Sequence, residues 1–118
     1  MDISTYVTGW RARAADEEEA NARRVESLGA YAKKALPVLK QCGARKVILF
    51  GSVALKRTHR HSDIDLAVEG IPPELFLRAF GLVEEALGND VRFDLVPLEE
   101  ATPALRWAMD QGEVLFDC

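Results

Sequence analysis

One stretch restricts this chain more than any other: Asp63-Ile64-Asp65-Leu66-Ala67-Val68, which alternates acidic or small residues with large apolar ones. A period of two is the pattern of a β-strand with one face buried. Ile64, Leu66 and Val68 would enter a core, and Asp63 and Asp65 would project together from the other face. Two carboxylates so placed, about 7 Å apart along a strand, repel each other. Holding both ionised is unfavourable unless cations lie near them. Oxygen-only ligands favour Mg²⁺, which takes one or two carboxylates and completes its shell with water and phosphate oxygens.

The remaining elements follow from spacing and from chain breakers. Residues 11–41 read as a helix, with Val25, Leu28, Ala32, Ala35, Leu36 and Leu39 along one face. Pro37 should kink or restart it, and Gly43 should cap its end. The acids at 16–19 read as a solvated first turn. Tyr6, Val7 and Trp10 precede it, an apolar group suited to an extra helix or a partner contact. Residues 46–50 read as a buried strand and residues 53–57 as one or two helical turns. Pro72-Pro73 opens a helix that Gly88 closes, with Leu75, Phe76, Ala79, Leu82, Val83, Ala86 and Leu87 on its apolar face. Residues 91–96 read as a third strand. Thr102-Pro103 starts a helix to about residue 111, and residues 114–116 end the pattern as a short strand.

With 118 residues, the chain has room for one domain. Its 48% hydrophobic and 29% charged content excludes a disordered or collagen-like chain, and its longest apolar run is far too short to span a bilayer. The net charge is −4, which argues against a general nucleic-acid binder. The distribution says more. Arg45, Lys46, Lys56, Arg57 and Arg60 fall in residues 45–61, where no acid occurs, while residues 62–118 carry 13 acids against 3 bases. A basic loop directly before an acidic block suits a site that holds polyanion and metal together. The first ten residues lack a basic stretch followed by an apolar one. Cys42 and Cys118 are therefore expected to be reduced bystander thiols in a cytoplasmic protein.

The chemistry concentrates around the Asp-x-Asp strand. Gly51-Ser52 follows a strand; glycine lets backbone approach a ligand closely, and N–H groups opening a helix attract phosphate. Lys56, Arg57, His59 and Arg60 could neutralise phosphate charge nearby. Asp94 lies in the third strand; if that strand pairs beside the second, about 4.8 Å away, Asp94 comes within reach of a shared metal pair. Each piece alone is commonplace: a Gly-Ser pair is usually a turn, an Asp-x-Asp usually a solvated edge, and His59-x-His61 lacks a third nitrogen ligand. The order and spacing together are specific.

That order resembles the signature of the polymerase-β-like nucleotidyltransferase superfamily, and more closely its minimal nucleotidyltransferases, with Gly-Ser-x-Ala-Arg-Gly, a spacer, then Ser-Asp-Ile-Asp-Leu. Gly51, Ser52, Ala54, Ser62, Asp63, Ile64, Asp65 and Leu66 match, whereas Leu55 stands in place of the arginine and Lys56 in place of the glycine. Asp94-Leu-Val-Pro-Leu-Glu-Glu-Ala resembles the third-carboxylate segment, and Gly112-Glu-Val-Leu-Phe the closing one. The resemblance spans residues 45–116. It implies an α+β fold: a small mixed sheet flanked by helices. An extra N-terminal helical segment, residues 1–44, would pack on the core of residues 45–118 within one domain.

By the same resemblance, Asp63, Asp65 and Asp94 would be catalytic and hold two Mg²⁺ ions, with Asp94 nearest the nucleophile. Gly51, Ser52, Lys56 and Arg57 would bind the nucleotide. Minimal members resemble antitoxins that transfer AMP from ATP to a tyrosine of a HEPN-domain ribonuclease toxin, so the expected partner is such a toxin, in a homo- or hetero-oligomer, without direct nucleic-acid or membrane binding. The departures at Leu55 and Lys56 motivate an alternative: a catalytically weak antitoxin that neutralises its partner by binding only. A transferase acting on a small molecule or on RNA is a third reading.

Overall fold

The computed structural model describes residues 3–118, with side chains from Arg13 onward. Helix α1 spans Ile3–Lys34, α2 Leu36–Gln41, α3 Pro73–Leu87 and α4 Pro103–Asp110. Strands β1 (Lys46–Phe50), β2 (Ile64–Glu69), β3 (Phe93–Pro97) and β4 (Glu113–Asp117) form one sheet in the order β3-β2-β1-β4. β1 pairs antiparallel with β2 and β4, and β2 pairs parallel with β3. The fold is thus the expected mixed α+β arrangement.

The alternation in β2 decides how the layers stack. Ile64, Leu66 and Val68 are all but fully buried, and with Val47, Leu49 and Leu95 they meet Ala32, Ala35, Leu39, Ala79 and Val83 from the helices on one face. The opposite face carries Ile48, Phe50 and Ala67, covered by Met109 of α4. Helix α4 covers only part of that second face, which also bears Asp65.

The structure corrects two local expectations and bears out another: Pro37 restarts the helical run, and residues 11–41 fall in two helices. Pro37 lies in the first turn of α2, where its missing N–H does no harm but cannot continue α1. The acids at 16–19 are exposed as expected but lie mid-helix, because α1 starts at Ile3. No proline falls between residues 3 and 15, and Glu19 stands four residues before Arg23, a favourable spacing. The side chains of Tyr6, Val7 and Trp10 lie outside the described ones. Residues 53–57, too, depart from expectation: they form a turn and no helix. So short a segment cannot offset helix nucleation, and Lys56 ends any helical run with a φ of 58°.

Elsewhere the breakers act as read. Gly43 follows α2 with a φ of 106°, and Ala44 N–H donates to the Leu39 carbonyl at 3.0 Å, closing the helix end. Thr102 Oγ1 accepts from Leu105 N–H at 3.2 Å, capping α4. Both cysteines are free. No helix among the described residues is long and apolar enough to cross a membrane.

Candidate active site

Antiparallel pairing of β1 with β2, and parallel pairing of β2 with β3, bring the end of one strand and the starts of two others to the same edge of the sheet. Phe50 is the register partner of Asp65, and Asp65 is the register partner of Asp94. Register partners point to the same face, so Asp65 and Asp94 are adjacent on the side that α4 leaves uncovered. β2 begins at Ile64, one residue later than the alternation suggested, and Ile64 N–H donates to the Arg92 carbonyl at 3.0 Å. Asp63 therefore sits at the mouth of the strand, exposed, two residues before Asp65. Asp94 is also exposed, and its Oδ1 accepts from Leu95 N–H at 2.9 Å.

The electrostatics show how closely the three are grouped. Burial first, then the charges of Asp94 and Asp63, push the Asp65 carboxyl from 3.8 up to about 6. A divalent cation would reverse this by favouring the ionised form. The donor set is all oxygen, as a hard cation needs. Among the described residues, however, no three His, Cys, Asp or Glu side chains form a ready-made metal cage. The residues fit an ion that takes one or two carboxylates here and completes its shell with water and phosphate. Because proton and cation compete for Asp65, Mg²⁺ affinity should fall as pH drops through 6. Titrating Mg²⁺ by calorimetry at pH 5, 6 and 7.5 checks this; equal affinities would contradict it.

Gly51 sits against the same carboxylate. A Cβ added to it would lie 2.3 Å from Asp65 Oδ2, and its φ is 77°. Both facts demand glycine. The chain then turns: Leu55 N–H donates to the Gly51 carbonyl (3.0 Å), Lys56 N–H to Val53 (3.1 Å) and Arg57 N–H to Ser52 (2.9 Å). Val53, buried to 3% exposure, anchors the turn in the core. The turn's own bonds use donors from residues 55–57. The N–H groups of Ser52, Val53 and Ala54 take no part in them. Donors for phosphate would come from this turn, and not from the helix start that the sequence suggested. Lys56 and Arg57 are exposed at its far end, and Leu55 is 51% exposed. His61 N–H donates to His59 Nδ1 at 3.1 Å.

The profile described as "Polymerase beta, Nucleotidyltransferase" matches residues 33–118. The chain belongs to that family. It is a nucleotidyltransferase, and solved structures of similar proteins agree. One is a chain of a toxin–antitoxin complex with AMP-PNP, 28% identical, with 72% of each chain covered and a TM-score of 0.60. A second is a chain of a variant MntA–HpeT toxin–antitoxin complex, 26% identical over 70% of each chain, with a TM-score of 0.59. A third is described as a minimal nucleotidyltransferase. It is 31% identical, with 77% of this chain and 93% of that one covered and a TM-score of 0.61. No curated protein matches the chain.

Sequence reasoning missed the cleft that α1 forms beside Asp63. A cleft of about 450 Å³ opens between α1 and the loops around residues 60 and 91, lined among others by Arg24, Tyr31, His59, Arg60, Asp63 and Arg92. Arg24 and Asn21 also reach the loop behind the Gly-Ser turn. Their spacing marks one helix face, but nothing in the sequence says what that face meets.

Proposed function

We propose that this chain is the antitoxin of a toxin–antitoxin pair and that it transfers AMP from ATP to a tyrosine of a HEPN-domain ribonuclease toxin. The observation that carries the reading is the register of Asp65 with Asp94 at the edge where Gly51 meets Asp65. Its company among structural neighbours from toxin–antitoxin complexes, one of them with AMP-PNP, supports the partner and the nucleotide.

Each residue has a role in this reading. Ser52 and the turn N–H groups bind the triphosphate, and Lys56 and Arg57 neutralise its outer charge. Asp63, Asp65 and Asp94 would hold two Mg²⁺ ions. Bound Mg²⁺ supplies charge neutralisation at the entering and leaving oxygens of an in-line displacement. Asp94, placed nearest the nucleophile in this reading, accepts the proton of the acceptor hydroxyl. That oxygen forms a bond to the α-phosphorus, the bond from the α-phosphorus to the bridging oxygen breaks, and pyrophosphate leaves.

Leu55 and Lys56 favour the second reading, neutralisation by binding only. One assay separates the two. The chain is incubated with α-labelled ATP, Mg²⁺ and the product of the neighbouring gene. Label on a tyrosine of that protein is the expected result. A stable complex that stays unlabelled would replace the first reading with the second.

A further inference from the structure

Helix α1 reaches well before residue 33, where the family match begins. Its inward face changes character along its length. Towards the C-terminal end the face is apolar, with Leu28 partly buried and Ala32 fully so. One to two turns earlier, the same face carries Asn21 and Arg24, and these meet the loop that follows the Gly-Ser turn. The Asn21 side chain bonds the loop backbone on both sides. Its Nδ2 donates to the Lys56 carbonyl at 2.9 Å, and its Oδ1 accepts from Thr58 N–H at 2.7 Å. Arg24 adds Nε to Thr58 Oγ1 at 3.2 Å and Nη2 to the Thr58 carbonyl at 3.3 Å. These contacts join residues some 35 positions apart.

The loop held this way is strained. Lys56 has a φ of 58°, and among the described residues no other non-glycine has a positive φ. A side chain with a Cβ resists that conformation; the turn's own bonds, Lys56 N–H to Val53 and Arg57 N–H to Ser52, close it from inside, and α1 braces it from outside. Asn21 grips the carbonyl of Lys56 itself and the amide two residues on.

We propose that Asn21 and Arg24 are positioning residues for the nucleotide: by fixing residues 56–58 they keep Lys56 left-handed and set Lys56 and Arg57 beside the phosphate-binding turn. The inference rests on the reading that Lys56 and Arg57 contact the triphosphate. It makes α1 a working part of the site, and not only a support for the sheet.

The test is binding of a fluorescent ATP analogue to the full chain with Mg²⁺, together with amide exchange at Thr58 and thermal unfolding. Asn21→Ala is expected to weaken binding about tenfold, the effect of 1.4 kcal/mol, and to speed exchange at Thr58. Arg24→Ala should act in the same direction, and Arg24→Lys should recover part of the loss. Lys56→Ala with Arg57→Ala should weaken binding on its own, and adding Asn21→Ala to that pair should weaken it no further. Wild-type affinity in Asn21→Ala and Arg24→Ala would overturn the proposal. So would full additivity in the triple variant, the signature of general destabilisation. Wild-type affinity in the Lys56→Ala, Arg57→Ala pair would remove the underlying reading of those two residues, and the proposal with it.

Discussion

With asparagine at both Asp63 and Asp65, nucleotidyl transfer should fall by on the order of a thousandfold or more, because the charges that hold the cations are gone. The fold should survive and, without divalent ions at pH 7, become more stable. The sign follows from Asp65. Its carboxyl is raised from 3.8 to about 6 in the folded chain. The stability it contributes is therefore fully present below about pH 3.8 and is lost as pH rises through 6. At pH 7 the wild-type chain has lost it, while asparagine, neutral throughout, has nothing to lose. Since Asp65 keeps some contact with solvent, the gain should be on the order of 1 kcal/mol. Labelled-product formation and thermal unfolding between pH 4 and 7 read the two effects. Undiminished transfer would dismiss the carboxylates as the catalytic centre.

Gly51→Ala should disable the site from the other side. The new methyl would stand 2.3 Å from Asp65 Oδ2 at a φ of 77°, so either the carboxylate or the turn must move. A loss of about a hundredfold in transfer is expected from such a displacement. The left-handed backbone adds a destabilisation of roughly 1–2 kcal/mol. Gly88→Ala is the control. Gly88 has nearly the same φ, 75°, but nothing within 4 Å of an added Cβ. With a ψ of −169°, a backbone reserved for glycine, it should lose at least as much stability and keep its activity. If the two variants were equally active, the contact between Gly51 and Asp65 would have no catalytic weight.

Much of this architecture was legible beforehand because it is local. The alternation of residues 63–68 placed Ile64, Leu66 and Val68 inside and Asp65 outside, and all three apolar residues are buried. Pro37, Gly43, Pro73, Gly88 and Thr102 marked element ends because each has a backbone or capping reason to sit there. The misreadings were also local. Residues 53–57 have helix-forming side chains, but Lys56 adopts a positive φ that ends the turn, and its carbonyl is held by Asn21, which no window around Lys56 contains. The acids at 16–19 suit a first turn, and nothing in their own neighbourhood reveals that α1 had started long before.

The identities of the acids, the glycine-serine turn and their order along the chain were written in the sequence by itself, since periodicity and backbone freedom are properties of neighbouring residues. Which strand lies beside which, and so the pairing of Asp65 with Asp94, was decided only when the sheet closed in the order β3-β2-β1-β4. The grip of α1 on the loop at residues 56–58 belongs to the same class. Both join groups separated by some 30 residues or more, and the burial of a shared core, which no short segment carries, is what brings them together.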